Sequence, residues 1–413
     1  MEGQPPIVWD RAEGATIYDG HGNRWIDFTS GVLITNAGHG RKPMIDAITQ
    51  TAPRLLTSYC FPHAGRAELV ETLQSVAPRR DDKVMLLSTG SEAIELALKL
   101  AREHGRRIRE DKNVFVTFHN SFHGRTLGAQ LSGGIPNLKK WIGYEDSHFV
   151  QVPFPDGSVR CRPAENEFPA FERSLEEAGV ENDQTCAVMT ETYQGGNSSF
   201  APPRYMQRLR AWCDDHKAIL IMDEVQAGFG RTGKFWGFEH YGIVPDLIVC
   251  GKGISGSMPL SAVIGPGVLM NQFGPGSMTA THSGNPICCA AALASLRIIL
   301  EERLSERAAR IGRILQQGAE RIHGRFNDVI LAHHGKGLVA ALHCVKPGSS
   351  EPDPQLAWQV IGRGIQRGLM IFGPVGFGGA SVKLCPPLII EQDALSEGID
   401  VLEDAFASVL SDG

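Results

Sequence analysis

The sequence predicts an α/β fold. A large domain carries a mostly parallel central sheet, and both chain ends form a smaller α+β domain. Three observations lead there. From Lys83 to Ile264, short apolar runs alternate with helical patterns, as in parallel strands joined by helical crossovers. Several of these runs lack polar alternation, as expected for strands covered on both faces. The tail beyond residue 304 mixes strands and helices, and no linker separates it from the rest. The expected divisions are 1–50, joining the small domain; 51–303, the large domain; and 304–413, the rest of the small domain.

The elements follow in order. Ala15–Asp19 and Trp25–Phe28 flank Asp19-Gly20-His21-Gly22-Asn23, a hairpin pattern. A loop of Gly and small residues runs from Thr29 to Arg41. A helix is predicted from Lys42 to about Leu56, with Pro43 in its first turn. The strands of the large domain are Lys83–Leu87, Val114–Phe118, Cys186–Thr190, Ala218–Met222 and Leu247–Cys250. Helices Glu92–His104 and Arg204–His216 lie between some of them. Two helices, Asn285–Leu304 and Leu304–His323, lead into the tail. There, strands Val329–Leu331, Leu338–His343 and Ser381–Leu384 mix with helices Gln355–Arg367 and Glu391–Leu410.

Composition narrows the class. The chain has 413 residues, 42% apolar and 21% charged, which excludes global disorder. Its 47 glycines follow no Gly-X-Y period, which excludes a collagen reading. A net charge of −6 argues against general nucleic-acid binding. The nine cysteines contain no C-x-x-C pair, so reduced thiols in a cytoplasmic protein are expected, and no zinc site. The N-terminus lacks a basic-then-apolar signal pattern. The apolar runs are too short to span a membrane.

Five segments carry chemistry, four of them at strand ends. Thr89-x-x-Glu92 is a capping box after the first strand of the large domain. Gly90 and Ser91 there open a helix whose free N–H groups suit a phosphate, although a cap alone fits any helix. Phe118-His119-Asn120-Ser121-Phe122-His123-Gly124-Arg125 follows the second strand. Phe122 can cover a ring face, and Arg125 can hold an anion by paired hydrogen bonds. The run Ala218–Met222 delivers Asp223 to its end. A buried carboxylate needs a partner, either a cationic ring nitrogen or a scaffold cation. Lys252 emerges between Gly251 and Gly253 after Leu247–Cys250. A desolvated lysine amine is a nucleophile that forms Schiff bases with carbonyls. Thr281 is a possible phosphate ligand, and Asn285-Pro286 starts the next helix. A phosphate cradle, a ring cover, a carboxylate for a ring nitrogen and an amine for a carbonyl together describe a site for pyridoxal 5'-phosphate (PLP).

With these motifs, and Gly228-Phe229-Gly230-Arg231-Thr232-Gly233 between Asp223 and Lys252, the chain resembles the class III aminotransferases of PLP fold type I. The closest likeness is to 4-aminobutyrate and other ω-amino-group transaminases. The resemblance covers Trp25-Ile26-Asp27-Phe28 through Pro386-Pro387-Leu388. It implies a ping-pong transfer from an ω-amine or ω-amino acid to an oxo acid. Lys252 would hold the cofactor covalently and move the proton, and Asp223 would keep the pyridine nitrogen protonated. Gln226 would contact the ring hydroxyl, and Phe122 would stack on the ring beside His123. Gly90 and Ser91 would bind the phosphate, completed by Thr281 of a neighbouring subunit in a homodimer. Glu191 matches the glutamate that begins the family's Glu-Pro-x-Gln-Gly motif. Val32 and Arg125 match positions lining the substrate pocket, and Tyr59 and Phe61 are further apolar candidates there.

Two departures concern the substrate. Members that alternate between an ω-amine and glutamate commonly carry an arginine three residues before Pro-Pro-Leu, and here Lys383 stands there. The glutamate that pairs with that arginine should follow Gln194-Gly195, and here Gly196 stands there, with Thr192 in place of the motif's proline. Lysine cannot reproduce the bidentate fork of arginine. The carboxylate gate is therefore expected to be absent or rebuilt, with Arg125, Arg363 or Arg367 as possible substitutes. Racemases and epimerases share the scaffold, so an amino-acid epimerase is the alternative activity.

Overall fold

The computed structural model describes residues 6–156, 167–278 and 280–411. Cys161 and the first five residues of the N-terminus lie outside that range. The eight described cysteines are free. Among the described residues no helix is long and apolar enough to cross a membrane.

Seven strands build the central sheet, in the order Asp82–Leu87, Ser261–Pro266, Leu247–Cys250, Ile219–Asp223, Thr185–Glu191, Val114–Phe118, Phe149–Val152. The last five run parallel to one another. Ser261–Pro266 is antiparallel to both neighbours. Every residue of Val114–Phe118, Thr185–Glu191, Ile219–Asp223 and Leu247–Cys250 is buried. The reason is that each strand serves two cores. Ile219, Ile221, Leu247 and Val249 pack with Ile94, Ala97 and Ala101 of the helix Gly90–Ile108. Leu220, Met222, Ile248 and Cys250 point the other way, into a core that holds Phe171, Leu209 and Trp212. Alternation along each strand thus sends successive side chains to opposite, equally apolar faces. Gly105 lets the helix approach the sheet closely: a Cβ there would lie 2.3 Å from the Lys112 carbonyl oxygen and 2.6 Å from Cys186 Cβ.

The two chain ends meet in a second sheet. Trp9–Glu13, Thr16–Asp19 and Arg24–Asp27 pair in sequence, and Leu369–Met370 joins parallel to Arg24–Asp27. Ile330–Lys336, Val339–Cys344 and Ser381–Leu384 form a third, antiparallel sheet. Arg231 ties this part to the N-terminal loop. Its guanidinium donates to the carbonyls of Leu338 and Pro386, to Ser30 Oγ and to Asn36 Oδ1. The arginine of the 228–233 motif is therefore a buried scaffold group.

Some element boundaries differ from expectation. The helix Lys42–Thr51 stops short of Leu56, because Pro53 disfavours helical backbone before it. Helix Pro286–Glu301 ends three residues early, and Arg303 at φ 51° turns the chain into helix Leu304–Arg325. The helix Ala64–Ser75 was not expected from the pattern. The loop after Phe28 contains a left-handed turn, with Ser30, Gly31, Val32 and Leu33 all at positive φ.

Candidate active site

The carboxyl ends of the parallel strands converge on a cavity of about 570 Å³. Its first wall is the start of helix Gly90–Ile108. The capping box forms: Thr89 Oγ1 accepts the Glu92 N–H at 3.2 Å, and Glu92 Oε2 accepts the N–H groups of Ser88 and Thr89 at 2.8 and 2.9 Å. Thr89, Gly90 and Ser91 line the cavity, so unpaired N–H groups and the positive helix end face it. Gly124 (φ 142°) closes against this corner, since a Cβ there would lie 2.3 Å from Ser91 Oγ. The Arg125 N–H donates to the same oxygen at 3.2 Å.

The second wall comes from three neighbouring strand ends. Asp223 lies level with Glu191 on one neighbouring strand and with Val249 on the other. One carboxylate oxygen of Asp223 stands 2.8 Å from His123 Nδ1, and the other accepts the Val225 N–H at 3.0 Å. A carboxylate has about four lone-pair sites, so Asp223 keeps capacity for a donor in the cavity. Glu191 accepts the N–H groups of Phe122 and Gly195 at 3.0 and 2.9 Å. Burial pushes its carboxyl up to about 7, with His123 opposing and the Asp223 charge adding to the rise. Phe122 and Val225 both line the cavity.

Lys252 follows Cys250 at φ 45° and lines the same cavity. Such backbone is costly for a residue with a side chain and concentrates at functional sites. Gly253 beside it is a steric necessity, because a Cβ would come 2.6 Å from Asn36 Nδ2. Burial pulls the Lys252 amine below its ordinary value, against the pull of Asp223 and Glu191. Lys252 thus has the depressed basicity of a nucleophilic amine.

The twelve candidate residues fall into three groups here. Gly90, Ser91, Phe122, His123, Glu191, Asp223, Gln226 and Lys252 share the cavity wall. His123 reaches it from behind Asp223, as that carboxylate's partner. Lys383 sits deeper, behind Gln226, and donates to the Gln226 Oε1 at 2.7 Å and to the Gly195 carbonyl. Val32, Arg125 and Thr281 are exposed and outside the cavity wall. Arg125 stands over the Phe122 ring, its guanidinium carbon 5.7 Å from the ring centre. Tyr59 and Phe61 are also exposed; Tyr59 borders a separate hollow beside Arg66. Arg363 hydrogen-bonds Ser408 in the small domain, and neither it nor Arg367 reaches the cavity. The wall residues Val225, Tyr193 and Ala227 carry no chemical signature in the sequence. Val225 was findable two positions after Asp223, on a strand-end turn. Tyr193 gave no local signal, and its role depends on donating to the Gln226 carbonyl at 3.3 Å.

A family description matches this arrangement: Aminotransferase class-III, over residues 1–406. The chain belongs to the class-III aminotransferases. Isoleucine 2-epimerase of Lentilactobacillus buchneri is 34% identical over 98% of this chain and 90% of its own length. 4-Aminobutyrate aminotransferase of Mycobacterium leprae is 34% identical over 96% of this chain and 90% of its own. Among solved structures, a PLP-bound amine transaminase from an uncultivated Pseudomonas species superposes with a TM-score of 0.87. It is 28% identical and covers 98% of this chain and 95% of that one. This aminotransferase is therefore a PLP enzyme of fold type I, with a small-molecule amine and an oxo acid as substrates.

The residues present fit that cofactor. The cavity offers a helix N-terminus for a phosphate, a carboxylate with spare acceptor capacity, and an amine of lowered basicity. Gly90 leaves the cradle open: a Cβ there would press on Val225 Cγ1 at 3.1 Å.

Proposed function

We propose that this aminotransferase moves the amino group of an ω-amine or 4-aminobutyrate-like ω-amino acid to an oxo acid in two half-reactions. The observation that carries the reading is Lys252, a half-buried amine on strained backbone, sharing one cavity with Asp223 and the free end of helix Gly90–Ile108. The bound cofactor supplies the electron sink and the carbonyl carbon. In this reading Lys252 Nζ would hold the cofactor through that carbon and would carry the proton to and from the donor's amine-bearing carbon. Asp223 would keep the ring nitrogen protonated, with His123 fixing the carboxylate. Gln226 would meet the ring hydroxyl and Phe122 would cover the ring. Gly90 and Ser91 would hold the phosphate. Glu191 positions the Phe122 and Gly195 backbone. Val32 and Arg125, exposed outside the cavity wall, are the candidates for contacting the substrate.

The exposed position of Thr281, outside its own cavity, supports a homodimer in which it serves the phosphate of the other copy. The free thiols support a cytoplasmic location. We place domain boundaries near residues 50 and 303, a reading supported by the pairing of Leu369–Met370 with Arg24–Asp27. An amino-acid epimerase is the second reading. An enzyme that keeps one substrate throughout needs no switch between two carboxylate arrangements, and neither Lys383 nor Gly196 rebuilds one. The test is a donor panel with pyruvate and 2-oxoglutarate as acceptors, run beside Lys252→Ala. Transfer from terminal amines is expected, with Lys252→Ala losing both turnover and the cofactor that borohydride fixes to the wild-type chain. Turnover without Lys252, or cofactor still fixed by borohydride in its absence, would contradict it.

A further inference from the structure

Lys383 lies on Ser381–Leu384, a strand buried at every residue, and is itself 2% exposed. Its Nζ donates to the Gly195 carbonyl and to Gln226 Oε1, and stands 5.4 Å from the centre of the Tyr193 ring. Among the described residues it makes no ion pair. Burial pulls the ammonium down to about 8, so at neutral pH it keeps three donors and no acceptor. An amide facing it must turn its oxygen toward it. The other end of the amide, Nε2, is then turned away from Lys383, and Gln226 forms part of the cavity wall whereas Lys383 does not. The amide packs against Gly195, for a Cβ there would come 2.1 Å from Gln226 Nε2. The place of a counter-charge is also filled. A Cβ at Gly196 would lie 2.6 Å from Gly376 Cα and 2.9 Å from its nitrogen. Gly376, at φ 74°, occupies the volume that a side chain at 196 would need.

We propose that Lys383 is a positioning residue for the cofactor ring. It locks Gln226 with its N–H, rather than its oxygen, toward the ring hydroxyl, and it does not grip a substrate carboxylate. This inference rests on reading the cavity as the PLP site with Gln226 at the ring hydroxyl. A donor at that oxygen favours its ionised form. Without the ammonium the amide is free to turn and present an acceptor.

The experiment uses the holoenzyme and the variants Lys383→Met, Gln226→Met and both together, with Lys383→Gln as a second replacement. Replacing a buried charge by an apolar residue of similar volume is commonly tolerated. Three quantities are read: the pH midpoint of the cofactor's visible band, PLP affinity by titration, and KM for pyruvate against an aldehyde acceptor that lacks a carboxylate. Lys383→Met is expected to move the midpoint upward by about one pH unit and to weaken PLP binding about tenfold. Both acceptors should change KM by the same factor. Adding Lys383→Met to Gln226→Met should produce no further spectral shift, because the lysine acts through the amide. An unchanged band with KM raised for pyruvate alone would make Lys383 a carboxylate anchor and overturn the proposal. Additive spectral shifts in the double variant would overturn it as well. Cofactor still fixed to the chain by borohydride in Lys252→Ala would instead defeat the underlying reading of Lys252 in the PLP site, whatever Lys383 does.

Discussion

Asp223, Glu191 and Glu224 bring three carboxyl groups to two adjacent strand ends, and each is held differently. Glu224 accepts the N–H groups of Gly237 and Phe238 at 2.7 and 2.9 Å, and the hydroxyl of Thr192. Burial nevertheless pushes its carboxyl from 4.5 up to about 7. The folded chain therefore binds more protons than the unfolded chain between those values. Its contribution to stability is full below about 4.5 and is lost as pH rises through 7, with a slope of up to about 1.4 kcal/mol per pH unit. Glu224→Gln should flatten the fall in Tm between pH 5 and 7.5, leaving the part due to Glu191. Parallel Tm profiles for the two proteins would contradict this. Asp223 and Lys252 were legible in the sequence because each charge ends an apolar run. The partners of Lys383 were not legible, because a backbone carbonyl at Gly195 and an amide 157 positions away give no local signal. Thr192 read only as a missing proline, yet its hydroxyl is part of the Glu224 enclosure.

At the scale of elements, the start of helix Gly90–Ile108 joins stability to function. Its reciprocal cap was readable as Thr89-x-x-Glu92, since capping depends on residues three apart. Thr89→Ala should lower stability by about 1 kcal/mol in urea titration and also weaken PLP retention, because the same N–H groups face the cavity. Loss of stability with unchanged PLP affinity would separate the cap from the cofactor site. The strand ends were readable for the same reason of locality. What escaped were features fixed by distant packing. The left-handed turn Ser30–Leu33 places Val32 at φ 68°, a strained conformation for a β-branched residue. Around it, Leu33 packs with Tyr193, Ala227, Val339 and Cys385. The antiparallel strand Ser261–Pro266 also escaped, although Ser261 Oγ donates to the Thr89 carbonyl at 2.6 Å and braces the cap from the sheet side.

At the scale of the whole molecule, the sheet supplies a rigid floor and the two chain ends supply the wall behind Gln226. Strand Ser381–Leu384 carries Lys383 to that wall, and Arg231 fixes the small domain's backbone to the loop after Phe28. Thr281 stands apart from its own cavity, which gives the dimer reading a direct consequence. Thr281→Ala should weaken PLP binding about tenfold through the lost hydrogen bond. Mixed with Lys252→Ala chains, it should regain part of the wild-type activity, since one cavity of each mixed pair then has both an intact lysine and a partner threonine. No recovery on mixing would contradict a shared site. The sequence revealed the general form of this assembly through its alternating strands and helices. It could not reveal which surfaces meet, because those contacts join positions hundreds of residues apart.

Amino-group transfer through Lys252 can be read in a single half-reaction. Holoenzyme is mixed with a terminal amine alone, with no acceptor, and the cofactor's visible band and the released carbonyl product are followed together. The expected result is loss of the band with one equivalent of carbonyl product per site, and return of the band on adding pyruvate. A band that persists while a chiral amino acid loses its optical purity would contradict transfer and identify an epimerase.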